Sequence, residues 1–437
     1  MFVSEALSVN NNGHLSIGGC DCIELAERFG TPLYVMDEDL IRKNCRTYTD
    51  AMKKYYKGNG KVLFASKAFM TMAMCKIAEQ EGMGLDVVSG GELYTALASD
   101  FPRDMIYFHG NNKSDSELDF AIDSEVFCIV VDNIFELENL NKKAAQRNKV
   151  VNISFRIKPG IDAHTHDFVQ TGQIDSKFGV ALENGEAIEA VKTAIEMRNV
   201  NLIGIHCHIG SQIFDLAPFI KAAEVMIEFM GEIKQKFGLK IQELNLGGGY
   251  GIKYIPSHDP IEYDKYIENV RKTVELSCAK FGLDIPTLVM EPGRSIVASA
   301  GITLYTVGGV KVIKDVRTYV SVDGGMADNP RYALYQSEYD AVIANRPLDE
   351  KIELVTIAGK CCESGDLLAK DIMLPEVEVG EILAVLATGA YNYSMSSNYN
   401  RIPKPPVVLV RNNEARIILK RENYEDIVRN DIVPEDL

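Results

Sequence analysis

Between residues 60 and 291 the chain alternates eight times between a short apolar, β-branched run and a longer stretch with helical spacing. The runs cover residues 62–66, 85–89, 105–109, 127–131, 151–157, 202–208, 243–246 and 287–291. Between them lie helix-like segments such as 70–81, 91–99 and 218–237, the last with Ala223, Met226, Ile227 and Met230 recurring at three and four. Parallel strands buried on both faces read as unbroken apolar runs, and their crossover helices keep one apolar stripe. Eight such units predict a TIM-type (β/α)8 barrel, and a doubly wound open sheet meets the same periodicity. A helix-like segment at 37–57 precedes the first strand and follows from neither architecture.

After Arg294 the pattern changes to short strand-like runs at 302–307, 310–313, 319–322, 351–357, 381–387 and 407–411. Gly308-Gly309 and Asp323-Gly324-Gly325 read as turns between them. This predicts a separate antiparallel β domain, joined by the strand-like 33–36 near the start. The expected division is therefore a barrel over 36–295, with 1–35 and 296–437 as the β domain. Lys and Arg total 46 against 62 Asp and Glu, so 46 − 62 = −16, which argues against a nucleic-acid partner. Nine scattered cysteines do not read as a disulfide framework. No apolar run nears the ~18 residues of a membrane span, and residues 1–17 lack a basic stretch followed by an apolar one. The expectation is a cytoplasmic protein with no membrane partner.

Barrels carry their chemistry where strands end at the C-terminal face. The first run ends on Lys67, between Ser66 and Ala68. Desolvation there would disfavour the ammonium and free a nucleophilic amine, although a strand-end lysine also snorkels to water. The seventh run leads into Gly247-Gly248-Gly249, which permits close backbone approach to an anion or makes a tight turn. It is not a dinucleotide fingerprint, because Ile252 stands where its last glycine belongs. The eighth run ends Glu291-Pro292-Gly293-Arg294. Loops after strands seven and eight are a common phosphate site in barrels. A phosphate site, an amine and a carboxylate that faces a pyridine nitrogen are the fixtures of pyridoxal phosphate. The sixth run places His206 and His208 on one face and leads to Ser211, so His208 is the candidate to stack on a cofactor. Two histidines at this spacing also suit a metal. The further pair His164 and His166 has no obvious carboxylate and cysteine companions, and no metal is expected.

Several stretches together resemble one family. They are Tyr34 and Lys67 in their settings, residues 84–92, residues 109–113, residues 206–211, Gly247–Gly249 and residues 291–294. The chain is similar over about 33–410 to the fold-type III pyridoxal-phosphate decarboxylases, which pair an alanine-racemase-like barrel with a β domain. Three later stretches resemble the branch of that family acting on diaminopimelate: residues 329–335, Cys362-Glu363-Ser364-Gly365-Asp366, and Gly389-Ala390-Tyr391 with 396–400. The ornithine-type relatives typically carry Asp after that cysteine, and residues 176–179 also fit.

The resemblance implies that Lys67 holds the cofactor, His208 stacks on its ring and Glu291 meets its pyridine nitrogen. Ser211, Gly247, Gly248, Gly249, Gly293 and Arg294 would hold the phosphate. Arg294, Arg331 and Tyr335 would bind the retained substrate carboxylate, Glu363 the distal ammonium, and Tyr391 both cofactor and substrate. Cys362 would be the acid near Cα. It and Glu363 would serve the partner subunit's site, which implies a homodimer with composite sites. The chemistry agrees: arginine suits a carboxylate bidentately, and a substrate lacking the distal ammonium would leave Glu363 unpaired. The scissile carboxylate should face no cation, which would favour the ground state. Two departures stand out: Cys361 adjoins Cys362, and Lys360 stands where relatives usually have proline. The remaining alternatives are a decarboxylase of carboxynorspermidine, ornithine or arginine, and a non-catalytic regulatory homologue, which would be expected to lack Lys67 or Cys362.

Overall fold

The computed structural model describes residues 2–161 and 176–437. The chain divides into two units, one made of Lys43–Gly251 and Asp259–Ser295, the other of Met1–Arg42, Ile252–His258 and Ile296–Leu437.

Among the described residues the first unit holds a ring of eight parallel strands: β1 (Gly60–Ala65), β2 (Gly84–Val87), β3 (Ile106–Phe108), β4 (Cys128–Val131), β5 (Val151–Lys158), β6 (Val200–His206), β7 (Glu243–Asn245) and β8 (Thr287–Met290), with the two-residue strand Val180–Ala181 pairing parallel beside β5. Each of the eight pairs with its neighbours in chain order. The ring closes where β8 meets β1 at Leu288–Gly60, Val289–Lys61 and Met290–Val62. A doubly wound sheet would end in two unpaired edges, so this closure selects the barrel.

Every residue of β2, β3 and β4 is buried, the reason these segments read as unbroken apolar runs. The helices that follow the strands start at definite caps. Thr71 accepts from the amide of Met74 ahead of Met72–Gln80, and Ser89 accepts from that of Glu92 ahead of Gly90–Ala98. Ser114 and Glu117 form a capping box before Asp115–Asp123, and Asn133 caps Ile134–Gln146. Each such cap is worth about 1 kcal/mol. Together they hold the strand ends at one pole of the ring. At the other pole Lys61 donates to Glu243 at 2.6 Å and to Tyr107 at 3.0 Å, and Tyr107 donates to Glu243 at 2.8 Å.

The second unit is built on the strand Gly301–Ile313, which pairs antiparallel with Leu33–Asp37, Ile382–Val385 and Arg317–Val322. The N-terminal strand thus joins the C-terminal sheet. Two pairings in this otherwise antiparallel sheet are parallel, Leu33–Asp37 with Val407–Arg411 and Arg317–Val322 with Glu353–Ala358. Gly308-Gly309 is not the turn expected: the strand continues through it with a register shift between Val307 and Gly309. Glycine accommodates such a bulge without ending the strand. The strands Ala341–Ile343, Leu367–Leu374 and Glu414–Leu419 were not apparent in the pattern. Segment Ile252–His258 lies with this unit, although the strand–helix alternation counted it within the barrel. Among the described residues no helix is long and apolar enough to cross a membrane.

Candidate active site

In the barrel unit, Glu291 follows β8 and is enclosed by nitrogen atoms from three other strand ends. His109 Nε2 lies 2.9 Å from its Oε1, His206 Nε2 lies 3.2 Å from its Oε2, and Asn245 donates to Oε1 at 2.6 Å. The two imidazoles meet edge to face at 4.9 Å. His109 Nε2 is also 3.6 Å from Asp86 Oδ1. Burial opposes the charge on Glu291, but His109 and His206 outweigh it and hold the carboxyl well below its usual range. Burial likewise pushes His109 down, yet Asp86 and then Glu291 leave it above its ordinary value. His206 goes the other way, to about 4, because burial dominates. Neutral His206 then donates Nε2–H to Glu291, and its Nδ1, buried with no hydrogen-bond partner, keeps a bare lone pair.

Around this carboxylate stand the other expected residues of the unit. Gly247 adopts φ +68°, and a Cβ there would sit 2.7 Å from the carbonyl oxygen of Cys207 and 2.9 Å from His208 Nδ1. At Gly248 a Cβ would fall 2.1 Å from the Glu291 carbonyl oxygen, and at Gly249 2.4 Å from that of Gly210. The three glycines thus let loops after β6, β7 and β8 touch backbone to backbone. At Gly293 a Cβ would sit 2.9 Å from the Ala65 side chain. Arg294 is buried and donates through Nη2 to Ser211 Oγ at 2.7 Å. His208 is half-buried, and burial, then the charges of Lys67 and Arg156, hold its imidazole neutral, well below the ordinary value.

Lys67 departs from expectation. The strand passes into a tight turn, Ser66–Ala68, which buries Ser66 and Ala68 but leaves Lys67 exposed. The turn breaks the two-residue alternation that would have turned this side chain into the wall. Its side chain therefore reaches solvent, in place of the poor solvation read from its apolar neighbours. His206 does not pair with His208 as a two-histidine metal site requires, because its Nε2 is spent on Glu291. His164 and His166 lie outside the described residues. Asp86, His109, Asn245 and Arg156 received no role from the sequence. All four lie in or directly after barrel strands, so a systematic reading of every strand end was the signal that could have found them.

The second unit gathers a separate group. Arg331 opens the short helix Arg331–Tyr335 and is buried. Its guanidinium lies 5.1 Å from the Tyr335 ring and 5.5 Å from the Tyr391 ring, and its Nε has no hydrogen-bond partner. Tyr391 takes φ +60°, a backbone cost of about 1 kcal/mol or more. Cys361 is buried and Cys362 exposed; both lie in a bend, where the Glu363 amide donates back to the Cys361 carbonyl at 2.8 Å. Burial pushes the Cys361 thiol up to about 11, with Asp366 adding to it. The Cys362 amide donates to Asn400 Oδ1 at 2.7 Å. Glu363 is exposed and accepts from Tyr399 at 3.4 Å. The Lys360 amide donates to the Gly324 carbonyl at 2.9 Å, a bond proline cannot make.

The model of the family described as "Pyridoxal-dependent decarboxylase, pyridoxal binding domain" matches residues 38–298. The chain is 49% identical over 432 residues to the diaminopimelate decarboxylase of Bacillus subtilis, covering 99% of this chain and 98% of that one. The solved diaminopimelate decarboxylase of M. jannaschii in complex with L-lysine superposes with a TM-score of 0.92 at 38% identity, over 100% of each chain. That of Helicobacter pylori, also complexed with L-lysine, gives 0.86 at 31% identity over 93% of this chain and 98% of that one.

Proposed function

The chain belongs to the diaminopimelate decarboxylase family of pyridoxal-dependent decarboxylases, and on that premise we propose that it converts meso-2,6-diaminopimelate to L-lysine and CO2, the last step of lysine biosynthesis. The observation that carries this reading is the near-full-length likeness to proteins of that name, one of them solved with L-lysine.

Pyridoxal 5′-phosphate is the cofactor, and the barrel residues suit it chemically. The exposed Lys67 would hold the cofactor through its side-chain nitrogen. Glu291, buried and ionised, matches a protonated pyridine nitrogen. The backbone cradle of Gly247, Gly248, Gly249 and Gly293, with the Arg294–Ser211 pair, offers donors to a phosphate. Neutral His208 would lie against the ring. When bound, the cofactor supplies the sink for the electron pair left by CO2.

The chain's own residues bind and orient the substrate. Arg294, Arg331 and Tyr335 take the retained carboxylate. The buried Nε of Arg331 is a donor still to be used, and charge-assisted bonds of this type are the strong ones. Glu363 takes the distal ammonium and Tyr391 touches cofactor and substrate. The scissile carboxylate is given no cation, so its ground state is not stabilised. Cys362 delivers the proton to Cα, a role its exposure permits and the burial of Cys361 denies to its neighbour. We assign Cys362 and Glu363 to the partner's site in a cytoplasmic homodimer.

The test is product formation by purified protein with pyridoxal phosphate, run on meso-diaminopimelate beside LL-diaminopimelate, L-ornithine and L-arginine. Lysine from the meso isomer alone supports the proposal. Carboxylate loss from another substrate, with none from the meso isomer, overturns it.

A further inference from the structure

We propose that His109 is a positioning residue of the reaction: set between Asp86 and Glu291, its imidazolium keeps Glu291 in the carboxylate form that a protonated pyridine nitrogen requires. The inference rests on the cofactor reading above and extends it to a residue outside the cofactor's proposed contacts.

Three side chains touch the Glu291 carboxylate, and they differ in charge. Asn245 is a neutral amide at 2.6 Å. His206, at 3.2 Å, is driven neutral by burial and donates only a dipole. His109, at 2.9 Å, is the one of the three whose hold on a proton is raised, against burial, by Asp86 and then Glu291. All these residues are buried, so water does little to screen the contacts. The position of His109 is also fixed from the backbone: its amide donates to the Val87 carbonyl at 2.8 Å, one residue from Asp86. That places the imidazole within reach of two buried carboxylates at once, 2.9 Å from Glu291 and 3.6 Å from Asp86.

The other charged or titratable groups facing this cluster come from the remaining strand ends. Arg156 on β5 and Lys67 after β1 contribute positive charge to Asp86, and Arg156 opposes the proton on His109. Cys207 after β6 is buried with its thiol pushed up to about 12, by burial first and Glu291 next, so it stays neutral. His208 is neutral as well. Without the His109 charge, Glu291 would be buried near Asp86 with Asn245 and His206 touching it and Arg156 as the cation remaining nearby. A carboxyl in that setting takes up a proton, and a neutral carboxylic acid cannot balance a pyridinium.

The first test needs neither substrate nor cofactor. In the 15N-histidine-labelled apoprotein, which has seven histidines, one imidazole should hold its proton above the ordinary value of about 6.5. Its signal should be missing from H109Q. Titration of the His109 ring at or below the ordinary value overturns the inference.

The second test uses the loaded enzyme. H109Q keeps a hydrogen-bond donor and removes the charge, so the acid limb of its kcat/KM profile should move to higher pH by about one unit or more. Its bound cofactor should show the absorbance of a deprotonated pyridine ring. A uniform loss of activity with an unmoved limb and an unchanged spectrum marks a merely structural role and overturns the inference. Failure of the wild-type protein to bind pyridoxal phosphate would instead sink the cofactor reading, which the wild-type control reports separately.

Discussion

Single residues here owe their chemistry to one or two neighbours each. Cys361 and Cys362 are identical side chains one position apart, yet one is buried and the other exposed. The pair reads as part of an extended segment, but the two sit in a bend, and that bend decides which is buried. For Lys67 the sequence left both a desolvated and a snorkelling side chain open, and a three-residue turn decided for exposure. The charge state of His109 was not legible, because it is set by carboxylates 23 positions earlier and 182 later in the numbering. Glu363, with Tyr399 as its neighbour, is assigned to the distal ammonium. Glu363→Gln should therefore lower kcat/KM for diaminopimelate by about ten- to a hundredfold, with cofactor affinity measured by absorbance titration unchanged. Equal loss of both would remove Glu363 from the substrate's surroundings.

At the scale of elements, the strand ends and the loops after them carry the tightest constraints. Gly248 leaves no room for a methyl group against the Glu291 carbonyl. Gly248→Ala should thus cost about 1–3 kcal/mol or more of stability in chemical denaturation and weaken cofactor retention with it. An alanine variant as stable as the wild type would show that this loop moves freely. The helix Gly90–Ala98 holds a second constraint. Glu92 accepts from the Val88 amide at 2.7 Å, yet burial raises its carboxyl to about 7, with Asp86 adding to the effect. A folded-state value above the unfolded one means the folded protein binds the extra proton. Stability therefore falls as pH rises from about 4.5 to about 7. Glu92→Gln should gain on the wild type across that window, by roughly 1–3 kcal/mol at pH 8, in denaturation of the apoprotein. A gap that does not change with pH would refute this sign. The barrel strands were legible because burial on both faces writes them as apolar runs. Leu367–Leu374 was hidden because Lys370 and Asp371 interrupt its apolar run, and Glu414–Leu419 because it is a largely exposed strand at the end of its sheet.

For the whole molecule, the proposed assembly makes a prediction of its own. If Lys67 and Cys362 of different subunits serve one site, neither Lys67→Ala nor Cys362→Ala alone is active. Mixed, denatured and refolded together, they should recover up to about a quarter of wild-type activity, since half of randomly paired dimers would carry one intact site of two. No recovery, with dimers present on sizing, would argue against shared sites. The eightfold alternation by itself determined how many β/α units the chain makes, and the motifs after runs six, seven and eight determined which loops to search for chemistry. Both are local properties, written in the spacing of neighbouring residues. Closure of the ring from β8 onto β1, the strand from residues 33–37 within the C-terminal sheet, and the meeting of His109, His206 and Asn245 around Glu291, with Asp86 against His109, were decided only by the tertiary structure. These contacts join positions tens to hundreds of residues apart, and no local periodicity records which distant strand ends a closed barrel will bring together.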